Sequence, residues 1–174
     1  MDMTLKGESA VVWDEESFYE RISEEKRLLY GIAYSYVRSE ADALEMLQEA
    51  TCRAWIKRGS LKDPAKFRSW LTRILINCCL DELKRRKRAG EGWERSRETG
   101  GETMEMASGR KLDMERALDA VKPKYRQVLL LKYYRDFTIG EIAEVLGKPE
   151  GTVKTWLNKG LQQLRDKMKA RGLG

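Results

Sequence analysis

FTIGEIAEVLGKPEGTVKTWLNKGLQQL, residues 137–164, is the stretch that decides the fold. Thr138 is a good helix N-cap, and Glu141 three positions on completes a capping box. Ile139, Ile142, Ala143 and Leu146 then make one short apolar face. Gly147 tolerates a positive φ, which suits a tight turn after the helix. Pro149 fits the first turn of a second helix, where its missing N–H would be unsatisfied anyway. Val153, Leu157, Leu161, Leu164 and Met168 repeat at helical spacing. The pattern predicts two short helices at a sharp angle, the second lying on the first. Such a helix-turn-helix is built to enter a DNA major groove.

Projected at 100° per residue, the second helix turns Thr155, Lys159 and Gln162 almost directly away from its apolar stripe. Lys154 and Asn158 flank them on one side and Trp156 on the other. Lys, Thr, Asn and Gln can hydrogen-bond base edges and phosphates. An ordinary solvated helix face would carry similar residues. The capped first helix, Ala143 at the point of closest approach and Gly147 in the turn favour the DNA reading.

Working outward, Pro123 opens a preceding helix with Tyr125, Val128, Leu129 and Tyr133. Ala117, Leu118 and Val121 mark another before it. Residues 112–174 therefore read as a four-helix domain. From 89 to 111 glycines are scattered among Glu, Arg, Ser and Thr, the composition of a flexible linker. About 23 residues can span roughly 75 Å when extended.

Residues 1–88 read as a second helical domain behind a frayed tail over 1–12. From about Trp13, Phe18, Ile22, Leu29, Ile32, Ala33 and Tyr36 follow a helical period. Ser39 with Asp42 starts another helix. Leu44, Leu47, Thr51, Ala54 and Trp55 form its apolar stripe, and Asp42, Glu45, Met46, Glu49 and Arg53 its opposite face. Asp63 caps and Pro64 opens a third helix with Phe67, Trp70, Leu71, Ile74 and Cys78 inward. That helix runs into five basic residues, 84–88. Arg73, Asn77 and Lys84 share one side of it, a strip suited to single-stranded nucleic acid. Phe67 and Trp70 are read as core residues. Apolar positions never alternate with period two, so the expected class is all-α: two small helical domains and a linker.

Composition narrows the chemistry. The 174 residues carry a formal charge of +6, with 36% charged and 41% apolar residues. The basic balance favours an anionic partner. No run is long enough to span a bilayer, so a cytoplasmic protein is expected. Cys52, Cys78 and Cys79 do not make a disulfide framework or, without any histidine, a zinc site. They are expected to be small buried or half-buried hydrophobes. The lack of histidine removes the commonest acid–base catalyst. No cofactor, metal or catalytic residue is expected. The acidic face of the second helix would repel phosphate, so it is expected to face a basic protein partner.

Four stretches together resemble the extracytoplasmic-function sigma factors, the small two-domain relatives of sigma-70. Asp42-Ala-Leu-Glu45-Met-Leu-Gln48-Glu49 is similar to the family's D-A-x-D-L-V-Q-E helix. Phe67-Arg-Ser-Trp70-Leu-Thr-Arg73-Ile is similar to F-R-x-W-L-x-x-I. Asn77-Cys-Cys-Leu-Asp81-Glu-Leu-Lys84-Arg85-Arg86 is similar to N-x-x-x-D-x-x-R-R. The fourth is the helix-turn-helix itself, through Gly151-Thr-Val-Lys-Thr155. The resemblance covers roughly residues 15–88 and 112–168. It departs from the family at Trp156, where an Arg is usual, and at Lys159-Gly160, where Arg-Ala is common.

The resemblance implies a promoter-specificity subunit and no enzyme. Residues 1–88 would be the region 2 domain, docking on core RNA polymerase at the β′ clamp through Asp42, Glu45, Gln48 and Glu49. Its Lys62, Arg73, Asn77, Lys84 and Arg85 would hold the melted −10 element. Residues 112–174 would be the region 4 domain, which contacts the β flap and reads the −35 element through Lys154, Thr155, Asn158, Lys159 and Gln162. An anti-sigma factor is an expected further partner. The residues alone leave open a helix-turn-helix regulator that never joins core polymerase.

Overall fold

The computed structural model describes residues 12–90 and 116–172, and every regular element among them is helical. Six helices carry the fold: α1 (Glu15–Val37), α2 (Glu40–Lys57), α3 (Phe67–Arg88), α4 (Pro123–Leu129), α5 (Ile139–Leu146) and α6 (Glu150–Ala170). Residues 116–119 are also helical. The tail expected over 1–12 lies outside the described residues except for Val12, and the linker expected over 89–111 except for Ala89 and Gly90.

Local chemistry sets the helix ends. Asp14 caps α1, accepting from the Ser17 N–H at 2.8 Å. Ser39 caps α2, and Asp63 caps a single 3-10 turn, Pro64–Lys66, from which α3 starts at Phe67. A third helix starting directly at Pro64 is thus corrected by one tight turn. Thr138 and Glu141 form the expected capping box on α5. Gly147 ends α5 at φ 62°, the left-handed conformation that glycine adopts freely. Arg38 reaches φ 58° without being glycine, closing α1 through an N–H bond to the Tyr34 carbonyl.

In the N-terminal half, α1, α2 and α3 pack together around Phe18, Leu29, Ala43, Phe67 and Leu71. The predicted stripe of α2 is off by part of a turn. Leu44 is 54% exposed, whereas Met46, expected on the polar face, is buried with Ala43, Leu47, Ala50 and Ala54. The small residues Ala43, Ala50 and Ala54 face the neighbouring helices, and Met46 fills the space beside them. Helix α3 is buried on more than the predicted stripe: Thr72, Leu75, Ile76 and Cys79 are covered as well. A helix that is apolar most of the way round has neighbours on several sides, and here the extra neighbour is α5.

That contact joins the halves. Val128, Leu131, Phe137, Ile142, Val145 and Val153 belong to one continuous core with the residues of α1–α3. A smaller cluster, Val121, Tyr125 and Leu129, is completed by Leu157, Leu161 and Leu164 of α6. The two helical domains are therefore docked on one another.

Between α4 and α5 the chain makes a π turn, Leu130–Tyr134, closed by the Arg135 N–H on the Leu130 carbonyl. Asp136 follows at φ 56°. This turn aims Arg135 and Phe137 into the junction, where they are 0% and 1% exposed.

Candidate nucleic-acid and partner interfaces

Helix α6 presents a divided surface. Val153 and Gly160 are buried against α4 and α5, while Lys154, Thr155, Asn158, Lys159 and Gln162 are all exposed. The Thr155 hydroxyl donates to the Gly151 carbonyl at 3.0 Å, which leaves its oxygen free to accept. Gln162 donates to Asp166 at 3.1 Å. Trp156 is half-buried, its ring set edge-on to Tyr125 with centroids 6.4 Å apart. It packs, and the ammonium groups of Lys124 and Lys148 lie 5.8 and 5.9 Å from its ring centroid.

Gly160 has a steric reason that the sequence does not show. A Cβ there would lie 3.2 Å from Leu129 and 3.3 Å from Tyr125. The helix gives up some propensity at this position so that α4 and α6 can approach closely.

On α3, Arg73, Asn77, Leu80 and Lys84 fall within about 60° of one another, and all four are exposed. Lys62 is exposed in the loop before the helix. Arg85 is committed locally, forming two bonds to the Glu82 carboxylate at 2.9 and 2.7 Å. Arg86 is half-buried and bridges Glu82 and Asp42, each at 2.9 Å. The hydrogen bonds from Arg85, and then from Arg86, hold the Glu82 carboxyl down at about 2. The basic run 84–88 therefore separates into Arg86, which joins α3 to α2, Arg85, which is exposed but paired within its own helix, and Lys84, Lys87 and Arg88, which face solvent.

The acidic face of α2 is partly neutralised by the protein itself. Asp42 is half-buried under Arg86. Glu49 holds Arg53 at 2.8 Å, and Arg53 reaches Asp81 of α3 at 3.1 Å. Glu45, Gln48 and Glu49 are exposed. A groove of about 370 Å³ runs between α2 and α3, lined by Glu45, Glu49, Asp81, Glu82, Arg53 and Arg85 over Met46 and Cys78. Leu44 at 54% and Ile56 at 78% exposure add apolar surface to the same helix.

Sequence reasoning missed the polar network at the domain junction. Arg135 binds Glu25 of α1 and donates to the Thr72 hydroxyl of α3 at 3.1 Å. Arg68 donates to the Arg135 carbonyl at 2.9 Å and approaches Glu25 at 3.4 Å. Burial lowers the pKa of Arg135, and the Glu25 carboxylate opposes that shift. Further along the seam, the Tyr36 hydroxyl donates to Gln127, Arg126 donates to the Ser35 carbonyl at 3.5 Å, and Arg38 pairs with Asp119 at 2.6 Å. One signal was available. Glu25 sits between Ile22 and Leu29 at helical spacing on the apolar stripe of α1, which marks a charge that needs a buried partner. Arg135 carries no such signal.

Cys78 and Cys79 are buried as expected, and burial pushes the Cys79 thiol up to about 12. Cys52 is exposed, contrary to expectation. Among the described residues no group of His, Cys, Asp and Glu could hold a metal ion, and no helix is long and apolar enough to cross a membrane.

Comparison with known proteins gives these surfaces a context. The family model for sigma-70 region 2 matches residues 22–89, and that for sigma-70 region 4 matches residues 111–164. The RNA polymerase sigma factor SigV of Bacillus subtilis is 31% identical over 150 residues, covering 83% of this chain and 86% of that protein. The extracytoplasmic-function sigma factor SigW of the same organism is 28% identical, covering 90% and 91%. In fold, the chain is similar to the sigma factor RpoE of Bartonella quintana, solved with the anti-sigma factor NepR, at 20% identity. The TM-score is 0.78 over 88% of this chain and 98% of that one. CnrH, solved with the cytosolic domain of CnrY, follows at 20% identity and TM-score 0.66, covering 90% of each.

Proposed function

Because the chain belongs to the extracytoplasmic-function sigma factors of the sigma-70 family, it is a promoter-specificity subunit of RNA polymerase, and we propose how its surfaces divide that work. Residues 1–88 act as the domain that docks on core polymerase and handles the −10 element. Residues 112–174 act as the reader of the −35 element, with 89–111 as the connection. The work is binding in the cytoplasm, with no bond made or broken by this subunit. Phosphate contacts supply salt-dependent affinity, and a few base contacts supply specificity.

The observation that carries this division is the segregation of surfaces. Lys154, Thr155, Asn158, Lys159 and Gln162 of α6 are all exposed, while the opposite face of that helix is committed to α4 and α5. In the other domain, the exposed Lys62, Arg73, Asn77 and Lys84 offer polar contacts for the separated strand, and Arg85, exposed and paired with Glu82, adds one on the adjoining face of α3. Glu45, Gln48 and Glu49, with Asp42 behind them, face the basic side of the β′ clamp. The β flap meets the −35-reading domain.

The docked arrangement adds a step. The two elements lie about 25 base pairs apart, roughly 85 Å of duplex at 3.4 Å per pair. A compact chain of this length is only about 40 Å across. Both elements are engaged together only after the junction opens. RpoE and CnrH, which are similar in fold, were solved with the anti-sigma factor NepR and the cytosolic domain of CnrY; a partner of the anti-sigma kind would act on this chain by holding the closed form.

The test is promoter-dependent transcription by core polymerase with and without the chain, on promoters selected in vitro from random DNA. Initiation should require the chain. Thr155→Ala with Lys159→Ala should lose discrimination at the upstream element by about 1–3 kcal/mol per base contact removed, while affinity for core is unchanged. Promoter selection unaltered by both changes would remove α6 as the reader.

A further inference from the structure

We propose that Lys124, Lys148 and Trp156 form a phosphate-binding site that grips the DNA backbone beside the recognition helix, with Trp156 as the positioning residue. The proposal rests on the assignment of α6 to duplex reading.

Two lysines share one ring. The Lys124 ammonium lies 5.8 Å from the Trp156 ring centroid and the Lys148 ammonium 5.9 Å from it. Lys124 also lies 5.0 Å over Tyr125, the residue against which Trp156 packs. Neither ammonium has a carboxylate partner among the described residues. Both side chains are exposed. Both flexible side chains start from different elements and reach the same ring, so an anion seated beside Trp156 lies within range of both charges. The nearest acidic side chain along the chain, Glu150, has its carboxylate oxygen 3.3 Å from where a Cβ on Gly140 of α5 would lie.

The anion is defined by where the lysines stand. Lys148 is in the turn between α5 and α6, and Lys124 is in the first turn of α4, so neither is on the outward face of α6. In a helix-turn-helix docked through its second helix the first helix crosses the sugar-phosphate backbone; the turn that follows it carries Lys148, and Lys124 reaches the same place through the ring they share. Trp156 follows Thr155 directly, which puts the ring at the groove edge.

The ring itself is held. Trp156 is half-buried, edge-on to Tyr125 and packed with Leu157 and Leu161 into the core of this domain. It is a fixed π surface on which flexible ammonium groups can rest. An arginine at this place would bind an anion by itself. The tryptophan does so through two lysines borrowed from other elements. Such contacts set register and affinity and carry no base preference.

The experiment is salt-dependent binding of holoenzyme, reconstituted from core and full-length chain, to a duplex bearing an upstream element selected in vitro. Lys148→Gln and Lys124→Gln should each flatten the salt dependence by one phosphate contact. Each then reduces the loss of affinity between 50 and 200 mM salt by about 3.5-fold. Relative affinities across single-base variants of the element should not change. Trp156→Leu should flatten the slope with both lysines still present, and Trp156→Phe, which keeps a ring face, should restore it. Thermal melting of each variant separates this from loss of fold, since a destabilised but intact site keeps its slope. An unchanged slope in the lysine variants, or an altered base preference, overturns the clamp alone. A wild-type holoenzyme that does not distinguish the selected element from scrambled duplex overturns the α6 assignment instead.

Discussion

The guanidinium of Arg135, with no exposed surface, is bound to the carboxylate of Glu25, 110 residues earlier in the chain. The pair ties the C-terminal domain to α1. Thr72 and Arg68 complete the network from α3, yet the Arg135 Nε finds no hydrogen-bond partner. A buried hydrogen-bonded network of this kind holds two surfaces in register.

Glu25→Ala should therefore leave a buried cation without its counter-charge and cost about 3–5 kcal/mol at the junction. Replacing both partners, Glu25→Ala with Arg135→Met, should cost less than the single change. Chemical denaturation of the three variants measures the difference. Small-angle scattering should show the single variant more expanded, because the free energy is lost at the seam between domains.

A closed chain should be unable to initiate at a two-element promoter. Lys66 and Glu144 face each other across the junction at 3.6 Å. With Cys52→Ser removing the exposed thiol, Lys66→Cys and Glu144→Cys can be joined by a short bis-maleimide. Cys78 and Cys79 are buried with raised thiol pKa values, so they should not compete. The cross-linked chain should lose transcription in a reconstituted assay, and the same variant before cross-linking should retain it. Full activity in the linked form would remove opening from the mechanism.

Docking on core should depend on the exposed part of the acidic face. Glu45→Lys should weaken binding to core polymerase at least tenfold while leaving thermal stability within about 0.5 kcal/mol, as for other surface changes. Glu49→Lys should also weaken binding, but it releases Arg53 from its 2.8 Å pair and disturbs the link to Asp81. A modest loss of stability should accompany it. Competition binding to core, run beside thermal melts, distinguishes the two.

Gly160→Ala should destabilise the reader domain although alanine is the better helix former. The propensity gain is about 0.5–1 kcal/mol. Against it stands a methyl group forced within 3.2 Å of Leu129 and 3.3 Å of Tyr125, and overpacking of this kind costs about 1–3 kcal/mol. Both neighbours are buried, so neither can swing aside. Melting temperature measures the balance, and an increase would mean that α4 yields easily.

Much of this was legible in the sequence because it depends on short-range chemistry. The capping box at Thr138, the left-handed Gly147 and the outward set on α6 follow from spacing and backbone preference. The resemblance to the sigma family, carried by four ordered motifs, was enough to name the family. The failures share a cause. Leu44 and Met46 were exchanged because a helical period locates a stripe only to within part of a turn, and the small alanines that fix the true contact carry little apolar signal. The committed states of Asp42 and Arg85 were invisible because their partners come from elsewhere in the fold or from the same turn.

What the sequence determined by itself was the helical class, the two-part organisation and the outward face of α6. These rest on periodicity and capping, which act over a few residues. Only the tertiary structure decided that the parts close on one another, that Trp156 packs while carrying two lysines, and that Gly160 is a contact. Each of these depends on groups far apart in the chain meeting in a low-dielectric or close-packed place. Arg135 shows the reason most plainly: a π turn and one left-handed residue aim it at a glutamate 110 residues away, and no local pattern encodes that meeting.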